Sequence, residues 1–158
     1  MRDKISIERV ESLHPDKKEN FIAFIEELEE TFDTTLRVVQ AFRSFKQQDE
    51  LYAQGRSDTS KPKVTNARGG ESFHCYGLAV DIIPLSGTCQ PQWNYDFEKF
   101  KPIAEKYGLT WGGSWKDYDH YEDNLGFGPS GWRHLLTTYQ NKQVDDKGFL
   151  KLETLVSA

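Results

Sequence analysis

Hydrophobic positions along this chain change period several times, and each change marks an element. Phe21, Phe24, Ile25, Leu28 and Phe32 recur at helical spacing among acidic neighbours, with Pro15-Asp16 as the opening turn. A β-rich run over 35–42 then predicts a strand. Ser44 is a plausible N-cap for a second helix through Gln47, Gln48, Leu51 and Tyr52, with Gly55 as its stop. Residues 56–71 carry Gly, Ser, Thr, Pro and Asn without periodicity and read as a long loop, a candidate functional rim. Leu78 to Ile83 forms an apolar strand ending at Pro84. Phe97, Phe100, Ile103, Ala104 and Tyr107 give one face of a helix over 94–107, stopped by Gly108. Short strands are expected over 109–111 and 120–122 around a Gly-Gly turn, and a last helix over 132–140. The tail beyond Asn141 ends in the apolar piece Phe149-Leu150-Lys151-Leu152. Strands and helices intersperse without βαβ alternation, so the fold class is α+β, in one domain over 1–158.

Composition narrows the function. With 158 residues, 37% hydrophobic and 13% aromatic, the chain suffices for one core. The net charge is −5 and the basic residues are scattered, which excludes the concentrated positive face that nucleic acid needs. No apolar run reaches the ~20 residues of a membrane span. The N-terminus has no signal-like apolar stretch, so the expectation is a cytoplasmic product that reaches any outside substrate by other means, such as a holin-type pore. A monomer is expected. Cys75 and Cys89 lack metal-type spacing and read as free thiols.

The chemistry sits in Ser72-Phe-His-Cys-Tyr-Gly-Leu-Ala-Val-Asp81 and Asp117-Tyr-Asp-His120. His74, Asp81 and His120 supply two imidazoles and a carboxylate, the donor set of a zinc site that keeps one position open. Fully extended, residues seven apart would lie ~23 Å from each other, so the chain from His74 to Asp81 must fold back, and Gly77 is the residue suited to the bend. Asp81 also interrupts an apolar strand, where a lone carboxylate is costly unless paired or metal-bound; capping a loop or pairing with an Arg would be the ordinary alternative. Asp117 lies three residues before His120, on the same side of a turn, and is the first choice of general base. Asp119 is the rival, expected to point away because it adjoins a ligand. Arg43, between the first strand and second helix, suits an oxyanion or carboxylate. Trp111 and Trp115 are either cleft lining or packing. His14 and His134 read as structural or exposed.

Ser72-x-His74-x-x-Gly77-x-Ala79-x-Asp81 with Asp117-x-x-His120 resembles the zinc peptidoglycan peptidases related to D-alanyl-D-alanine carboxypeptidases, and most closely the L-alanyl-D-glutamate endopeptidases, phage endolysins among them. Ser12-Leu-His-Pro15, the stretch from Phe42 to Arg56, Trp111-Gly-Gly113 and His120-Tyr-Glu122 extend the likeness. The resemblance implies a small α+β fold shared with the Hedgehog signalling domain, an antiparallel sheet with flanking helices. It implies one zinc per chain on His74, Asp81 and His120, Asp117 as base, and Arg43 stabilising the tetrahedral intermediate. Gln48, Ser72 and Trp111 would stand beside Arg43 on the substrate, the peptidoglycan stem peptide. Two departures bear on the base: the link from Trp111 to the Asp-x-x-His element is short, and Asp119 stands where Pro is common. A D-alanyl-D-alanine carboxypeptidase and a non-catalytic, zinc-stabilised binding module are the competing expectations.

Overall fold

The computed structural model describes residues 1–155; Val156 to Ala158 lie outside it. Among the described residues the elements run α1 (Lys4–Val10), α2 (Lys18–Phe32), β1 (Thr35–Gln40), α3 (Phe45–Ala53), β2 (Ala79–Leu85), α4 (Lys101–Lys106), β3 (Thr110–Trp111), β4 (His120–Glu122) and α5 (Trp132–Gln140). Single 3-10 turns at Phe73–Tyr76, Phe97–Phe100 and Gly112–Trp115 join them. The four strands form one antiparallel sheet in the order β1-β2-β4-β3. The class is α+β, as the interspersed pattern requires. No described helix is long and apolar enough to cross a membrane.

α2 forms where its apolar stripe demands, and Phe21, Phe24, Ile25 and Leu28 are fully buried. It packs on β1 and β2 through a core that includes Leu36, Val38, Val80, Ile82 and Tyr121. The helix begins at Lys18 rather than at Pro15, because His14 to Lys17 close a turn onto the His14 carbonyl. Ser44 caps α3 in a full capping box with Gln47. That helix ends at Ala53, with Gln54 as its C-cap and Gly55 directly after it in the left-handed conformation at φ +78°. The 94–107 segment is a 3-10 turn followed by the six-residue α4, its start delayed to Lys101-Pro102.

β2 continues through Pro84 to Leu85. Leu36 turns its N–H away from β2 to Glu29, so the facing Pro84 occupies a non-hydrogen-bonded pair. Its nitrogen faces the side where β4 has already ended, and no ladder bond is lost.

The helix that periodicity does not reveal is α1. Its Ile5 and Ile7 are exposed while Ser6 is buried, the reverse of an amphipathic stripe. It exists to close the free edge of β1. The Ser6 hydroxyl accepts the Val38 N–H at 2.7 Å, and the buried Glu29 carboxylate accepts those of Leu36 and Arg2 at 3.0 Å. An edge strand with its donors satisfied this way offers no template for another chain. Asp3 anchors the arrangement: it caps α1 through the Ser6 N–H and forms a two-pronged ion pair with Arg37 of β1 at 2.8 and 3.0 Å.

The hydrogen bond from Arg37 holds the Asp3 carboxyl below the usual carboxylate value against the opposing effect of burial. A carboxyl depressed on folding contributes stability at pH above its unfolded value, near 3.9, and loses it as pH falls through the lower folded one. Asp3→Ala should therefore cost about 1–2 kcal/mol in urea unfolding at pH 7. That difference should shrink below pH ~4; an equal deficit at both pH values would contradict this role for the ion pair.

Candidate metal centre and active-site cleft

Register builds the site. β2 and β4 pair so that Asp81 stands directly opposite His120, and Ala79 opposite Glu122. Alternation then sends His120, Glu122 and Asp81 to one face while Tyr121 and Val80 enter the core. The third donor comes from the chain doubling back. Phe73–Tyr76 winds into a 3-10 turn whose first N–H groups include one capped by the Ser72 hydroxyl, and Gly77 reverses direction at φ +69°. A Cβ there would stand 2.5 Å from the His14 nitrogen, so both the turn and the close passage of the 13–14 backbone require glycine.

One ligand atom from each of His74, Asp81 and His120 lies within 4.8 Å of the other two. Asp81 Oδ1 is 3.1 Å from both His74 Nε2 and His120 Nδ1. The opposite ring nitrogens are engaged. His74 Nδ1 meets the Ala41 carbonyl oxygen at 2.7 Å, an acceptor only, so that nitrogen carries a proton and Nε2 is the atom turned toward the cluster. His120 Nε2 meets the Glu122 carboxylate at 2.8 Å. Two imidazoles with their outer nitrogens held by oxygen acceptors, plus one carboxylate, fit zinc in both donor type and number.

The electrostatics follow from burial and pairing. Burial alone would raise the Asp81 pKa, but the charge and hydrogen bonds of His74 and His120 outweigh it and hold the carboxyl far below its usual range. Burial likewise opposes a charged His120, yet Asp81 and Glu122 prevail and push it up to about 10.

Around the cluster lies a cleft of about 880 Å3. Arg43, Ser72, Asp117 and Trp115 line it, with Trp132 and residues 64–67 forming further walls, so the long 56–71 loop is indeed a rim. Asp117 is half-exposed, and its Oδ2 is 3.8 Å from His120 Nδ1, close to the donors but outside their cluster. The loop that carries it is tight: a Cβ on Gly112 would stand 2.4 Å from the Asp117 carbonyl oxygen. Asp119 does not line the cleft, and its main-chain oxygen accepts the Ile82 N–H. Burial first, then the charges of Asp81 and Asp117, push its carboxyl up to about 7.

Arg43 donates its main-chain N–H to the His74 carbonyl at 3.0 Å and its Nη1 to Gln48 Oε1 at 2.8 Å. Among the described residues its buried Nε has no partner. Gln48 is fully buried and donates to the Ala67 carbonyl, so it lies behind Arg43 and ties it to the rim. Trp111 is elsewhere. Its indole N–H is bound to the Tyr118 carbonyl at 2.6 Å, outside the cleft, and Trp115 takes the cleft position with its ring 6.0 Å from His120. His14 is buried against the Leu150 carbonyl, His134 stacks on Phe127, Cys75 is buried and Cys89 exposed. Glu122 is the site residue that sequence reading did not single out. The signal was there, since a residue two after a strand ligand shares its face.

Residues 65–123 match the family described as D-alanyl-D-alanine carboxypeptidase. That span holds all three donors and Asp117. The resemblance read from the motifs stands. A relative from Bacillus subtilis, the peptidoglycan L-alanyl-D-glutamate endopeptidase CwlK, is 41% identical across 54% of this chain, and the alignment spans 58% of the relative's own length. Two solved structures share the fold. One is a variant of the vancomycin-resistance D,D-pentapeptidase VanY in complex with Zn(II), with TM-score 0.54 and 15% identity over 70% of this chain and 71% of that one. The other is the L,D-carboxypeptidase DacB from Streptococcus pneumonia, with TM-score 0.53 and 18% identity over 80% and 72%.

Two substitutions test the centre by metal content alone. Asp81→Ala should abolish stoichiometric zinc, and Glu122→Gln should weaken zinc about 10–100-fold in chelator competition by loosening the His120 ring. Full zinc retention in Asp81→Ala would refute the ligand assignment.

Proposed function

We propose that this chain is a zinc-dependent peptidase that hydrolyses the stem peptide of bacterial peptidoglycan at the L-alanyl–D-glutamate bond. The observation that carries the reading is the His74, Asp81 and His120 donor cluster with the Asp117 carboxylate beside it, at the head of a cleft that also presents Arg43. The 41% identity to CwlK supports the choice of bond.

Zinc, held by His74 Nε2, His120 Nδ1 and Asp81, would supply a Lewis acid that polarises the scissile carbonyl and acidifies water. Asp117 is placed to take the proton from the attacking water and return it to the leaving amine nitrogen. The guanidinium of Arg43, oriented from behind by Gln48, donates to the oxygen on which negative charge develops. Ser72 and Trp115 line the path of the peptide, and the half-exposed position of Asp117 leaves it free to meet substrate and solvent.

Asp117→Ala should keep zinc and lose about 10²–10⁴-fold in turnover of purified peptidoglycan. Undiminished turnover would remove Asp117 from the mechanism in favour of Asp119. Mass spectrometry of the digest identifies the bond: new N-terminal D-glutamate supports the endopeptidase, whereas released D-alanine would assign a carboxypeptidase. Zinc binding with no hydrolysis by the unaltered chain would make it a binding module.

A further inference from the structure

Across the 112–118 segment from the cleft, two adjoining hollows of about 520 and 330 Å3 share Glu98, Trp111 and Tyr118. Their floor is aromatic and unusually open, with Trp93 62% and Tyr118 49% exposed. Trp111 is fixed between them. Its N–H is tied to the Tyr118 carbonyl, and a Cβ on Gly113 would stand 2.4 Å from the indole, so the ring lies against bare backbone. The Trp111 and Tyr118 rings stand 6.2 Å apart at 47°, forming an angled shelf. Around it the rim is polar, with Asn94, Asp96, Glu98 and Lys101.

We infer that this trough is a saccharide subsite that holds an N-acetylated amino sugar of the glycan strand. The inference rests on the stem-peptide reading above. A pyranose ring has an apolar C–H face for an indole or phenol and a hydroxyl rim for amides and carboxylates, which is the division seen here. The rim carboxylates disfavour an anion, and the amino sugar is uncharged once its lactyl carboxyl is bonded to the peptide. Position agrees with chemistry. In an L-alanyl–D-glutamate substrate the alanine is joined directly to that sugar, so the ring lies within ~7–10 Å of the scissile carbonyl, at about 3.3 Å per extended residue. Asp117 and Tyr118 are consecutive, one lining the cleft and the other the trough. The glycan strand thus crosses the 112–118 wall while its peptide enters the cleft.

Titration of the zinc-loaded chain with chitotetraose, a neutral N-acetylglucosamine oligomer, tests the subsite by tryptophan fluorescence and amide NMR. Saturable changes confined to residues 93–98 and 110–118 are expected, with Kd on the order of 1 mM or tighter. Trp93→Ala and Tyr118→Ala, both at exposed side chains, should each weaken binding about fivefold or more and lower the ratio of turnover on intact sacculi to turnover on free stem peptide. No change up to about 10 mM sugar in a chain that cleaves free stem peptide would overturn the subsite. So would undiminished sugar binding in both variants. Sugar binding at these residues by a chain that cleaves no stem peptide would support the subsite while refuting the hydrolytic reading.

Discussion

The pairing of Asp81 with His120 across β2 and β4 is the constraint on which the rest of the molecule turns. A carboxylate between two imidazoles in a buried setting is tolerable only if each group is compensated, and the register supplies that compensation. A slip of one residue would turn His120 and Glu122 into the apolar core and expose Tyr121. Such a slip is opposed by the burial of Tyr121 against Phe24 and by the hydrogen bond from Ile82 to the Asp119 carbonyl. Core packing thereby fixes the donor geometry.

Outside that pair, successive contacts reduce the freedom of each functional group. The Ala41 carbonyl and the Glu122 carboxylate orient the two rings, and Gln48 orients Arg43. Ala41 follows β1, whose irregularity between Val38 and Gln40 sets Gln40 opposite Asp81. Arg43 then takes its main-chain bond from the same turn that bears His74. The donors and the cation that would meet an oxyanion are therefore one mechanical unit. Asp117 is the exception, held by a glycine-dependent loop and left half-exposed, as the proton exchange proposed for it would require.

The 112–118 segment has two faces. Its cleft side carries Trp115 and Asp117, and its other side carries Tyr118 beside Trp111 of β3. In a polymer substrate whose peptide branches from a sugar chain, a thin wall with different chemistry on each side matches the branch point. The same wall explains why two tryptophans four residues apart serve different surfaces.

Local pattern pointed to the α2 stripe, the Ser44 cap and the strands around Asp81 and His120, and it named His74, Asp81, His120 and Asp117 as candidates. Each of these is written in spacing or in a polar residue set among apolar ones. Tertiary structure decided the rest, for identifiable reasons. α1 is held by side-chain bonds to a strand edge, which leave no hydrophobic period. β2 runs through Pro84 because its neighbour has ended. Trp111 and Trp115 are alike in composition and are separated only by the way Gly112 and Gly113 let the chain turn. The role of Glu122 became visible only once β4 was seen to pair with β2, because a carboxylate two residues from a histidine becomes its partner only when a strand places both on one face. Sequence names the groups able to do chemistry; which of them meet depends on long-range register, and no local signal encodes that.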